Sequence, residues 1–145
     1  MTSPTVFTLA AFIIWAILLL LLMAILRSQL VLSGKVPANG FTPDNAGLTP
    51  FMQRLARAHA NCVESLPVFG GLLLLAIATD QTRITDPLAY VFLASRVFQS
   101  LVHLASTSPA AVTLRFIAFA VQMGIGLAWA WQLLSAALAP GMTPV

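Results

Sequence analysis

Arg54-Leu55-Ala56-Arg57-Ala58-His59-Ala60-Asn61-Cys62-Val63-Glu64 runs into Ser65-Leu66-Pro67 and then the apolar stretch Leu72-Leu73-Leu74-Leu75-Ala76-Ile77-Ala78. Arg54, Arg57, Asn61 and Glu64 are spaced by three, four and three residues, which stacks them on one face of a helix. At about 100° per residue the four fall within an arc of roughly 80°, and His59 points almost the opposite way. Arg54 and Arg57 alone read equally well as cations snorkelling to lipid headgroups at a helix end. Glu64 does not, because it lies about 10 Å further along the axis than Arg57, and a carboxylate in hydrocarbon is costly unless paired.

Composition sets the solvent around this helix. The 145 residues are 59% hydrophobic and 8% charged, with a mean hydropathy of +0.94, whereas soluble domains are about one-quarter charged. The chain reads as one all-α, integral membrane, multi-pass domain over residues 1–145. Its net charge of +3 and pI near 10.0 come from basic residues scattered among apolar segments, without a patch or motif, so nucleic acid is rejected as a partner. No metal is expected either. Cys62 is the only cysteine, which excludes an intrachain disulfide and reads as a small buried hydrophobe.

Upstream of the stripe, Thr49-Pro50 supplies an N-cap and a proline at the first helical position, so the second span is placed at about 50–79. Residues 33–50 hold three prolines and three glycines and read as a loop. Before them, Val6 to Leu26 carries no charge and covers about 31 Å, enough for a bilayer core of about 30 Å. The first span is placed at about 6–28, ended by Arg27. The N-terminal residues carry no positive charge and the apolar run exceeds a signal-peptide core, so it reads as a retained span.

Downstream, Pro67 removes the amide that would bond to Val63 and should bend the helix just past the stripe, where a pocket can open. Asp80 to Asp86 reads as a polar link and Pro87 as the restart of a helix at about 87–105. Arg96, Gln99 and His103 share one face of it. An unpaired arginine near mid-membrane costs at least about 2.5 to 3.5 kcal/mol, and Glu64 is the carboxylate available to it inside a span. Ser106 to Pro109 turns the chain into a last span at about 110–138, with Phe119 and Gln122 on the side of Arg115; Gln122 reads as an interhelical hydrogen bond. Gly124 and Gly126 are two apart, which is not a GxxxG helix-pairing motif. The tail from Pro140 is expected to fray.

Four antiparallel, up-down spans bring the start of the second, the end of the third and the start of the fourth to one membrane face. Arg57, Asn61, Glu64, Gln99, His103 and Arg115 therefore share one half of the bilayer, with Arg96 reaching toward it. That side also holds Arg27, Lys35 and Arg54 against Arg83 on the other, which predicts that it is cytoplasmic and that both termini lie opposite. Several arginines around one glutamate suit a small anion that also carries an ammonium group. A nearby cation would further stabilise a thiolate. An ion or proton transporter built on Glu64 and Arg96 is the weaker reading, because no relay of ionisable groups crosses the other half.

Arg57-Ala58-His59-Ala60-Asn61-Cys62-Val63-Glu64-Ser65-Leu66-Pro67-Val68-Phe69 resembles the R-A-x-x-N-x-x-E-x-x-P-x-F signature of the MAPEG family, the membrane-associated proteins of eicosanoid and glutathione metabolism. Size, span number and the order of later polar helices are similar over nearly the whole chain. The resemblance implies a homotrimer of four-helix subunits that holds glutathione between neighbours near the cytoplasmic face. It implies that Arg57, Asn61 and Glu64 bind glutathione, that Gln99 and His103 join them, that Arg96 pairs with Glu64, and that Arg115 stabilises the thiolate. Lys35 is a looser match to a basic residue of the first loop. His103 stands where the eicosanoid enzymes commonly carry tyrosine, Gln99 replaces another tyrosine or a histidine, and Tyr90 belongs near the opposite face. The expected activity is glutathione transfer to a lipophilic electrophile from the membrane lipid, or glutathione-dependent peroxidase activity. The alternative is a non-catalytic lipid- or glutathione-binding scaffold of the same fold.

Overall fold

A computed structural model describes residues 3–139. Four helices in it are each long and apolar enough to cross a membrane: α1 (Pro4–Leu32), α2 (Pro50–Ala78), α3 (Thr82–Ala105) and α4 (Pro109–Leu138). Three of them begin alike. Ser3, Thr49 and Ser108 each accept a hydrogen bond from the first turn, from the amides of Thr5, Met52 and Ala111, and each is followed by proline at the first helical position. The hydroxyl satisfies one orphan donor and the proline gives up an amide that would have had no partner. The tail from Pro140, expected to fray, lies outside the described residues.

Two boundaries differ from expectation. Helix α1 continues past Arg27 to Leu32, because Arg27 is not left in lipid: its guanidinium donates to Asn45 Oδ1 and to the Thr42 carbonyl oxygen, 2.9 Å away. It also lies 5.2 Å from the Phe41 ring centroid. Helix α3 starts at Thr82 rather than Pro87, so residues 79–81 are the whole link and Pro87 sits inside the helix. A proline in the second turn costs one amide hydrogen bond, and the carbonyl it leaves belongs to exposed Arg83.

The interior is knit where one ring from each helix meets. Phe92 of α3 lies 5.6 Å from Phe12 of α1, 4.9 Å from Phe69 of α2 and 5.6 Å from Trp129 of α4, centroid to centroid. With lipid as apolar as the core, such shape-matched contact drives helix association rather than water exclusion. Gly126 makes room for it: a Cβ there would lie 2.6 Å from Phe69 Cε1. The outer surface is apolar in turn, with Ile14, Leu18, Leu21, Phe116, Leu127 and Trp131 all exposed, as lipid contact requires.

Polar ties close both ends. At the end carrying the N-terminus, Asp86 of α3 accepts from the hydroxyls of Ser3 and Thr5, both at 2.6 Å, and from the Thr5 amide at 2.9 Å. At the other end the loop is pinned by Asn45, fully buried, whose Nδ2 donates to the Met52 carbonyl at 2.7 Å. Asn45 has φ 55°, a left-handed conformation that asparagine tolerates better than most residues. Within the same loop the Thr42 hydroxyl and the Ala46 amide donate to Asp44, which holds its carboxyl below the usual range.

Candidate functional site

Helix α2 is not uniform along its length. Pro50–Ser65 is α-helical, Leu66–Gly70 is a π-helical turn, and Gly71–Ala78 is α-helical again. The wide turn begins where Pro67 lacks its amide, in agreement with the bend expected there. The Val63 carbonyl, which Pro67 leaves without its usual donor, accepts from the Leu66 amide, which also bonds to Cys62; the Ser65 hydroxyl lies 2.9 Å from the carbonyl oxygens of both Asn61 and Cys62. Glu64 and Ser65, just before the wide turn, and Val68 and Phe69 within it share one wall of a cavity of about 330 Å³.

Directly beside it, Asn61 from α2, Gln99 and His103 from α3 and Arg115 from α4 line a cavity of about 270 Å³, with Phe116 and Phe119. The two cavities share Asn61 and Phe119. A third, of about 230 Å³, continues the line through Val68, Phe69 and Met123 to Gly126 and Leu127, and its walls are apolar. The result is a groove between α2 and α4, polar toward the first loop and apolar toward the bilayer centre. Arg115 is half-buried and, among the described residues, donates to no other side chain or carbonyl; its Nε is buried without a partner. A cation held in this way, with its donors unspent, is placed to receive an anion.

Of the site residues expected from sequence, four meet in one cavity: Asn61, Gln99, His103 and Arg115. Glu64 joins them through the adjoining cavity. Arg57 is exposed and lies with Arg54 and Gln53 in a separate groove of about 160 Å³. Lys35 lies in another, of about 400 Å³, between the end of α1 and the start of α2. His59, expected to lie off the stripe, lines none of the three cavities of the α2–α4 groove.

The expected ion pair of Glu64 with Arg96 is corrected. Arg96 is fully buried and its Nη1 donates to Asn61 Oδ1 at 2.8 Å, while Nε and Nη2 have no partner among the described residues. Its guanidinium lies 5.6 Å from the Phe12 ring centroid. Glu64 is exposed on the other side of the stripe, because the turn of α2 that points Asn61 inward carries Glu64 outward. A cation over an aromatic face with one amide oxygen is a sparse shell for an arginine in a membrane core. Arg54 is spoken for as well, its Nε donating to the Leu104 carbonyl at 2.8 Å, which ties α2 to the end of α3.

One contributor was not singled out from sequence as part of the site. Gln122 of α4 donates through Nε2 to Gln99 Oε1 at 2.9 Å and to the Ala118 carbonyl at 3.0 Å. An interhelical bond was expected of it; that the bond reaches a cavity residue follows only from α3 and α4 packing side by side. No curated protein and no solved structure matches the chain. The model of the MAPEG family matches residues 5–135, a span that contains all four helices but for their outermost turns. On that match, and on a fold of four apolar spans with the polar residues of the α2–α4 groove gathered toward one end, the chain belongs to the MAPEG family.

Proposed function

We propose that the protein is a membrane glutathione transferase in which Arg115 stabilises the glutathione thiolate. The observation that carries this reading is the convergence of Asn61, Gln99, His103 and Arg115 on one cavity that opens along its length into an apolar groove. Taken together the adjoining cavities reach the size of pockets that hold small molecules, about 300 to 1,000 Å³. Asn61 and Glu64 hold the peptide's polar groups, Gln99 and His103 donate from α3, and Glu64 accepts from its ammonium group. Arg57 and Lys35 contribute from the rim, Lys35 from a neighbouring subunit of a homotrimer, since within one chain both lie in other grooves.

In the reaction the thiol proton leaves to water and the sulfur anion sits against the Arg115 guanidinium, where opposite charge favours the ionised form. A lipophilic electrophile enters from the bilayer along Val68, Met123 and Leu127. The sulfur forms a bond to its electrophilic carbon while the leaving group departs with the bonding electron pair. The same anion also suits peroxidase chemistry, in which two glutathione thiols reduce a hydroperoxide to alcohol and water and form the disulfide. The excess of Arg and Lys at the first-loop end supports a cytoplasmic site, with both termini opposite.

Conjugation of a model electrophile by purified protein, compared with Arg115→Ala, tests the assignment. A loss of about 10²-fold in kcat is expected, and unchanged turnover refutes the role of Arg115. A second reading, a lipid- or glutathione-binding scaffold without turnover, has one observation in its favour. The only tyrosine, Tyr90, packs on Phe7 at 5.7 Å, about 13 Å along α3 from the cavity residue Gln99, so no phenol assists the thiol. Glutathione binding with no turnover across electrophiles and hydroperoxides selects that reading.

A further inference from the structure

The amide of Gln99 has two ends, and only one of them can face the cavity as a donor. Its neighbour decides which. Gln122 lies 3.0 Å from the carbonyl oxygen of Ala118, one turn earlier on the same helix. A backbone carbonyl oxygen only accepts, so the atom of Gln122 beside it must be the NH2. That same NH2 lies 2.9 Å from Gln99, so the Gln99 atom facing it must be the carbonyl oxygen. The Gln99 NH2 is then left over. Among the described residues it donates to nothing, and Gln99 is a wall of the cavity that holds Arg115. Gln122 is fully buried and, among the described residues, its Oε1 has no partner. A flip of Gln122 would set its oxygen against the Ala118 oxygen, so the chain keeps one unsatisfied acceptor rather than two opposed ones.

We infer that Gln122 is a positioning residue: it locks the Gln99 amide with its NH2 toward the cavity, so that α3 donates to the same anionic atom that Arg115 faces from α4. The inference deepens the glutathione reading and rests on it for the identity of that atom. The orientation itself does not depend on any ligand. Gln122 touches no substrate in this arrangement and acts only through Gln99. An amide free to turn would present its oxygen to an anion for part of the time, which repels where a donor attracts. The relay therefore makes the inner wall of the cavity a fixed donor, without placing a second charge in the membrane interior.

The test uses the side-chain amide signals of protein labelled with 15N-glutamine in detergent micelles, with the Gln99 and Gln122 signals assigned by loss in Gln99→Met and Gln122→Met. In ligand-free wild type, the Gln99 NH2 is expected to exchange with water while both Gln122 amide protons are protected. A protected Gln99 NH2 beside an exchanging Gln122 overturns the inference. On adding glutathione the Gln99 signal is expected to shift. If the exchange pattern is as expected and no signal moves, the glutathione reading fails while the orientation stands. Gln122→Met is expected to weaken glutathione binding about fivefold to tenfold, and Gln99→Met/Gln122→Met to bind no more weakly than Gln99→Met alone. Additive losses would show that Gln122 acts through general packing and would overturn the relay. Should Gln122→Met fail to fold, the wild-type exchange pattern with the Gln99→Met assignment decides the question.

Discussion

Arg96 shows how a single side chain can be half-read from a sequence. Its depth in the membrane announced that it must face the bundle, and it does, at 0% exposure. Its partner was misread because charge pairing was weighed above helix phase. Glu64 and Asn61 share a stripe, but the three-residue step between them turns the carboxylate outward, and the amide oxygen receives the guanidinium. Asn61→Ala should therefore cost about 2 kcal/mol or more, since it strips a buried cation of its one hydrogen bond. Glu64→Gln should change stability by less than about 0.5 kcal/mol yet weaken glutathione binding about tenfold or more by removing an acceptor for the ammonium group. Thermal unfolding in detergent beside a binding titration separates the two. Equal destabilisation by both variants would restore the Glu64–Arg96 pair.

Helices were legible from the same rules that make them stable. Serine or threonine followed by proline marks the start of α1, α2 and α4, and each hydroxyl does cap. Helix α3 lacks that signature, starting from Gln81 with no side-chain cap, and its start was the boundary misplaced furthest. Pro87 looked like a first residue but lies in the second turn, a position that propensity alone does not distinguish. The π turn at Leu66–Gly70 could be expected as a bend at Pro67, but its width could not, since that depends on which donors take up the freed carbonyls. Gly126 escaped notice because its role is set by a ring on another helix. Gly126→Ala should force Phe69 aside and cost about 1 to 3 kcal/mol. Gly124→Ala, where an added Cβ meets nothing within 4 Å, should be neutral or slightly stabilising. Comparable losses in the two variants would mean that the four-ring contact does not depend on close approach at α4.

Taken whole, the bundle is tied by polar contacts at both ends and opens a polar cavity toward the first-loop end. Asp86 binds the start of α1 to α3, Arg27 and Asn45 bind the loop, and Phe92 joins all four helices between them. This asymmetry follows from antiparallel topology acting on polar residues that lie far apart in sequence, which is why the cavity's membership could be anticipated from spacing while its edges could not. Arg57 and Lys35 mark those edges. Both carry charge at the expected end, yet both face outward in a single chain, as residues that serve a neighbour's site would. A homotrimer predicts that native mass measurement finds three chains and that Lys35→Ala weakens glutathione binding by about twofold to tenfold. A monomeric mass with full affinity would contradict it.

The proposed chemistry requires that Arg115 hold an ionised glutathione sulfur in the cavity it shares with Asn61, Gln99 and His103. The most direct measurement is the ultraviolet thiolate absorbance that develops as glutathione is titrated into detergent-solubilised protein at neutral pH, compared with Arg115→Ala. A saturable thiolate signal is expected in the wild type and, in the variant, retained binding with the signal lost. Saturable binding with the same thiolate signal in both proteins, or no binding at all at millimolar glutathione, would contradict it.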